Sequence, residues 1–174
     1  MGKNYLSLTL LLVVILIAAA LFYQETFERA AQNADRTGGS ITALMALEVI
    51  SGEMISEYDF AARPTLVVMW ATWCPSCVFG LFHLKEAHEE FQERVNIVAV
   101  NITQNERSFS DVVSLLERGN FPFLIMADRE GEAQGHFRSR YIPAYFLVNT
   151  NGVTVQHLEG QMSLEILDNW LSQL

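Results

Sequence analysis

Hydrophobic positions fall into three patterns along this chain: one long unbroken run, several short ones, and helical stripes between them. The long run is LSLTLLLVVILIAAALFY, Leu6 to Tyr23, which has no polar face. Its length approaches that of a bilayer-spanning helix and Lys3 precedes it, so residues 1–23 read as an uncleaved anchor. A signal peptide cut near Ala18-Ala19-Ala20 is the alternative. Residues 24–40 are polar, lack periodicity and end in Gly38-Gly39-Ser40, which predicts a tether. Residues 41–174 suffice for one domain with its own core.

That domain opens with ALMALEVISGEMISEYDF, two strand-like pieces around Gly52 that predict a hairpin. PTLVVMW (Pro64 to Trp70) and VNIVAVNI (Val95 to Ile102) are unbroken apolar runs, expected for strands covered on both faces. Between them, from Pro75, Leu81, Leu84, Ala87 or His88, and Phe91 form a helical stripe opposite Lys85, Glu86, Glu89, Glu90 and Glu93. Ser108 and Asp111 make a capping-box pattern for a helix that Gly119 ends. FPFLIMA from Phe121 predicts a shorter strand and GEAQGHFRSRY an irregular helix. AYFLV and VTVQHL flank Asn149 to Gly152 as a hairpin. A last helix begins near Ser163 and is expected to bury Leu167, Trp170 or Leu171, and Leu174. This order predicts an α/β domain, a mixed central sheet with helices on both faces.

Charge narrows the partners. The net charge is −9 and the only lysines are Lys3 and Lys85, which argues against nucleic acid. The acidic run KEAHEEFQER reads as a solvated helix face. Lys3 on one side of the apolar run and Arg29 and Arg36 on the other leave orientation undecided, and export of the downstream domain is the default.

Cys74 and Cys77, in MWATWCPSCVFG, are the only cysteines. A structural zinc site needs four ligands; there is no second pair, and His83 and His88 do not complete one, so no metal is expected. A purely structural disulfide would close so short a loop that its effect on chain entropy is near the minimum. A redox dithiol fits the position. Cys74 falls where a buried strand meets a helix N-terminus, whose free N–H groups and dipole favour thiolate. Cys77, one turn on, lies deeper and suits a resolving thiol, while Trp73 can shield one side. Neither His136, His157 nor the other two histidines form a constellation, and no cofactor cradle is readable. Arg138 and Arg140 are weaker candidates for the site's rim, and Asn101-Ile102-Thr103 fits a glycosylation sequon.

VVMWATWCPSC resembles the active-site segment of membrane-anchored thioredoxin-like thiol:disulfide oxidoreductases of the TlpA, ResA and DsbE (CcmG) type. The Gly52 hairpin resembles an N-terminal addition of that group, and YIPAYFLVNTNG its cis-proline loop. The resemblance covers most of residues 41–174. It implies a thioredoxin-like fold with one transmembrane helix before it and a redox-active Cys74–Cys77 disulfide. Cys74 would be the nucleophile and Cys77 the resolving thiol. Trp73, Pro75, Ser76, Ile142 and Pro143 would form the substrate groove, with a cis Ile142-Pro143 bond. Implied partners are protein thiols and disulfides, apocytochrome c among them, and a membrane thiol donor of the DsbD or CcdA kind. The implied place is the cytoplasmic (inner) membrane, single-pass, with the domain on the periplasmic side.

The departures are specific. Val68, Gly80 and Ala144 stand where relatives carry a carboxylate. A thiol peroxidase would have a hydroxyl three residues before its reactive cysteine, where Ala71 stands. A disulfide-forming oxidant and a binding or chaperone module with an incidental CPSC are the rivals. Pro75 offers no N–H and Ser76 no charge, and neither Lys nor Arg is near in sequence. The Cys74 pKa is therefore expected near the thioredoxin-like value of about 7. The corresponding potential is roughly −270 to −180 mV, that of a reductase.

Overall fold

Strict alternation of side chains on four strands builds the domain. A computed structural model describes residues 41–52 and 57–174, with 57–59 as backbone alone. The chain divides into two units, Met1–Arg36 and Thr37–Leu174, and the described residues belong to the second. The expected anchor and the whole of the tether lie outside the described residues, among which no helix is long and apolar enough to cross a membrane.

The strands are β1 (Glu48–Ser51), β2 (Thr65–Trp70), β3 (Asn96–Asn101), β4 (Leu124–Ala127), β5 (Ala144–Val148) and β6 (Thr154–Glu159). The helices are α1 (Glu57–Ala62), α2 (Pro75–Glu86), α3 (His88–Phe91), α4 (Phe109–Gly119), α5 (Glu132–His136) and α6 (Leu164–Leu171). One sheet runs β1-β4-β3-β2-β5-β6; β2, β3 and β4 are parallel, and β1, β5 and β6 run against their neighbours.

Period-2 geometry sends successive side chains to opposite faces, which sorts the apolar runs into two cores. Leu66, Val68 and Trp70 of β2 join Ile97 and Ala99 of β3 and Tyr145 and Leu147 of β5 on one face. There they meet α2, α3, α4 and α6 through Leu81, Phe91, Val112 and Leu167. Val67, Met69, Val98, Val100 and Phe146 point the other way, onto Phe60 of α1, Ala133 of α5 and Phe137 just after it. Burial on both faces is why these strands read as unbroken apolar runs.

Three expectations are corrected. Among the described residues the hairpin expected around Gly52 is not seen: β1 pairs antiparallel with β4, Val49 opposite Met126, and residues 57–62 are helical. The alternating pattern was satisfied by a distant strand. Gly52 itself, at φ +87, lies so close to β4 that an added Cβ would sit 2.8 Å from the Phe123 carbonyl oxygen. The stripe Leu81, Leu84, Ala87, Phe91 is buried as expected, but the helix breaks at Ala87 and resumes as α3. Leu174 is 58% exposed, since α6 ends at Leu171.

Candidate active site

In a sheet with parallel strands, the carboxyl ends open onto loops and helix N-termini, where ligands gather. β2 ends there at Trp70, and the next four residues carry the chain into α2. Cys74 is the N-cap of α2, in extended conformation, and its Sγ accepts the Cys77 N–H at 3.2 Å. Pro75 at the first helical position loses nothing, because its N–H would have no partner in the helix. Ser76 Oγ lies 3.4 Å from Cys74 Sγ. The two cysteines form a disulfide with Cα atoms 5.2 Å apart. Cys74 is 6% exposed and Cys77 1%, within the core cluster that includes Trp70 and Tyr145.

A carboxylate absent from the sequence reading holds the approach to this dithiol. Glu106 Oε1 accepts the Thr72 N–H at 2.7 Å and the Asn101 Nδ2–H at 2.7 Å, and Oε2 accepts the Thr72 hydroxyl. Asn101 Oδ1 in turn accepts the Thr103 hydroxyl at 2.9 Å. The segment before Cys74 is thus tied to the loop after β3. Trp73 adds a second tie, its Nε1 donating to the Asn105 carbonyl at 2.9 Å while the ring stays exposed. Asn101 is fully buried with its amide engaged, so the sequon there is a core element. A polar residue closing an apolar strand run was the one available signal.

The Ile142-Pro143 bond is cis, as the resemblance implied, and directly precedes β5. Ile142 packs against both cores, including the one that holds the dithiol, and the Pro143 carbonyl accepts the Gly160 N–H at 2.7 Å. The Arg140 and Tyr141 N–H groups donate to Glu159 Oε1 at 3.1 and 3.4 Å, fixing the loop before it. Arg138 takes the left-handed conformation, φ 52, in the same loop. Exposed Trp73, Phe79 and Tyr141 stand on the three segments that frame the site. The histidines are dispersed: His83 faces Phe79, His88 Phe123, His136 Phe137, and His157 stacks on Phe146.

The missing carboxylate at position 80 has a steric cause. A Cβ on Gly80 would lie 2.5 Å from the Tyr145 hydroxyl. Tyr145 opposes Val68 across β2 and β5, and burial pushes its phenol up to about 12, so it stays protonated at neutral pH. Alanine at position 80 should gain about 1 kcal/mol of helix propensity but lose about 1–3 kcal/mol by overpacking. In a Tyr145→Phe background the clash is removed and the gain remains. Urea unfolding of the four-member cycle is expected to give a coupling of about 1–2 kcal/mol; additivity would show that the hydroxyl does not occupy that space.

Fold, cis-proline and buried CPSC disulfide together define a thioredoxin-like protein. Residues 40–157 match the AhpC/TSA family, and the chain belongs to it. Thiol-disulfide oxidoreductase ResA of Bacillus thuringiensis subsp. konkukian is 23% identical over 177 residues, covering 100% of this chain and 99% of the relative. Thioredoxin-like protein YneN of Bacillus subtilis is 25% identical over 126 residues, 72% of this chain and 74% of the relative. Among solved structures, StoA from Bacillus subtilis superposes with a TM-score of 0.63 at 27% identity, covering 71% of this chain and 92% of its own. A secreted Mycobacterium tuberculosis disulfide oxidoreductase homologous to E. coli DsbE shares the fold, with a TM-score of 0.62 at 17% identity over 78% of this chain and 100% of its own. Within its family the chain is a thiol:disulfide oxidoreductase of the TlpA/ResA/DsbE type.

Proposed function

We propose that the protein is a membrane-tethered reductase of protein disulfides acting outside the cytoplasmic membrane. Cys74 attacks the substrate disulfide and Cys77 resolves the mixed disulfide; Trp73, Pro75, Ser76, Ile142 and Pro143 shape the groove. The observation that carries this is the placement of Cys74 as the N-cap of α2 with Cys77 buried behind it. Its Sγ contacts are the Cys77 N–H and the Ser76 hydroxyl, with no cation among them. That supports moderate rather than strong thiolate stabilisation, which favours a reducing potential. The anchor is the Leu6 to Tyr23 run, with residues 24–40 as the tether, and the electrons come from a membrane dithiol donor. Substrates are protein disulfides, apocytochrome c being the one the resemblance offers.

One measurement tests place and direction together. Intact cells are treated with a membrane-impermeant maleimide, and the labelled full-length chain is compared with that from lysed cells. The expected result is labelling before lysis with most of the chain in the dithiol form. Labelling only after lysis would overturn the location, and a chain held mostly as disulfide would point to an oxidant.

A further inference from the structure

The structure assigns a second recognition element beside the dithiol: Arg107 and Arg118 bind carboxylates of an acidic segment that flanks the reactive cysteine of the protein substrate. The inference rests on the exchange activity proposed above and names its substrate class.

A groove of about 540 Å³ leaves the site at Trp73 and runs between α2 and α4, floored by Val78 and Leu115. Its α4 wall presents Asp111, Ser114 and Arg118, whose spacings of three and four residues place them on one helical face, and Arg107 stands two residues before the helix start. At the helical rise, Phe109 to Arg118 covers about 14 Å along the axis, with Arg107 two residues beyond the helix start. An extended chain covers that in about five residues.

The arginines are conspicuous for having nothing to bind. Arg94 pairs with Asp168 at 2.7 Å, Arg129 with Glu48 at 2.6 Å, and Arg63 donates to the Gln92 carbonyl at 2.5 Å. Arg107 and Arg118 are exposed and make no side-chain hydrogen bond or ion pair with another described residue, nor does Asp111 between them. Lys85, donating to the Gly119 carbonyl at 2.6 Å, adds a third positive charge near the Arg118 end. In a chain of net charge −9, unpaired cations gathered in one groove are the local exception to a field that repels anions.

The occupant is set by the groove's position. A substrate cysteine bonded to Cys74 must send its flanking chain away past one wall of the site. Trp73, adjacent in sequence to Cys74 and pinned to the Asn105 carbonyl, forms the entrance to this groove. The apolar floor accepts an extended backbone, and the guanidiniums, with their fork of donors, suit carboxylates. Acidic residues within about five positions of the substrate cysteine are therefore selected.

The test uses the reduced full-length protein and two disulfide-linked peptides identical except for two flanking Glu residues or two Gln. At low salt, kcat/KM should favour the Glu peptide by roughly tenfold, each arginine contributing about threefold to fivefold. Arg107→Gln with Arg118→Gln should bring the ratio to about one, as should ionic strength near 0.5 M. Asp111→Asn should raise the ratio, a sign that a merely structural role would not produce. Equal use of both peptides by the unaltered protein, with brisk exchange, would overturn the groove assignment and leave the exchange activity standing. Reduction of neither peptide would instead overturn the reading on which it rests.

Discussion

Cys74→Ala is expected to remove thiol–disulfide exchange by at least about 10³-fold, because Cys77, the other thiol, is buried at 1% exposure and poorly placed to attack. Cys77→Ala should also stop turnover, yet with a different residue of the reaction left behind. Cys74 is the N-cap of α2, where the Cys77 N–H and the helix dipole favour its thiolate. It is also the less buried sulfur, at 6% against 1%. Attack by Cys74 leaves the substrate joined to it until a second thiolate displaces it, and only Cys77 is within bonding reach. Without Cys77 the mixed disulfide persists. Non-reducing electrophoresis and mass spectrometry of the captured proteins measure this directly, and they name the substrates as well. Equal capture by the two variants would reverse or abolish the assignment of roles.

Glu106→Ala is expected to damage both the stability of the domain and the approach to the dithiol. Three donors converge on this carboxylate, two of them from Thr72, two residues before Cys74. Hydrogen bonds to a charged group contribute about 1.5–3 kcal/mol each. Glu106 is only part-buried, and water replaces some of what is lost, so a net cost of about 2–4 kcal/mol is the appropriate scale. In a domain of this size that lowers Tm by about 5–15 °C. The Asn101 amide is fully buried and cannot turn to water, so it bears most of the cost. Glu106→Gln should recover only part: one amide oxygen cannot accept from three donors, and its NH2 faces one of them. Thermal unfolding of the three proteins, with exchange rates measured well below each Tm, separates stability from positioning. An exchange rate unchanged in Glu106→Ala would show that the Thr72 segment keeps its place without the carboxylate.

The elements that read clearly from sequence are those governed by local chemistry. Unbroken apolar runs marked β2 and β3 because both faces are covered, and Pro75 and Ser108 marked helix starts because capping is decided within four residues. What failed was decided at a distance. Glu48 to Ser51 has a strand pattern whether its partner comes just after Gly52 or lies near residue 126, and nothing local distinguishes the two. The dithiol was legible because its two cysteines lie three residues apart at a strand-to-helix junction, and the cis-proline through the resemblance of its loop to that of the family. Glu106 was not, since Thr72 lies 34 residues away and an isolated glutamate carries no pattern. Gly80 was noticed as a departure, but its cause, the hydroxyl of Tyr145, became visible only when β5 was placed beside β2.

The strand order has a consequence for a chain made from its amino end. β1 is the first of the described strands to be synthesised, yet its sheet partner is β4, and its place does not exist until Ala127 has been added. β2 finds β3 earlier, but its other edge waits for β5 and Ala144 to Val148. Until then a nascent chain carries both cysteines on a half-covered layer, with β1 unpaired and an apolar edge of β2 open to other chains. Cysteines in that state are open to oxidation with the wrong partner before the strand after Pro143 has closed over them. Translation that pauses before β4 therefore leaves the chain at its most vulnerable, and a truncation there leaves β1 with nowhere in the sheet to go.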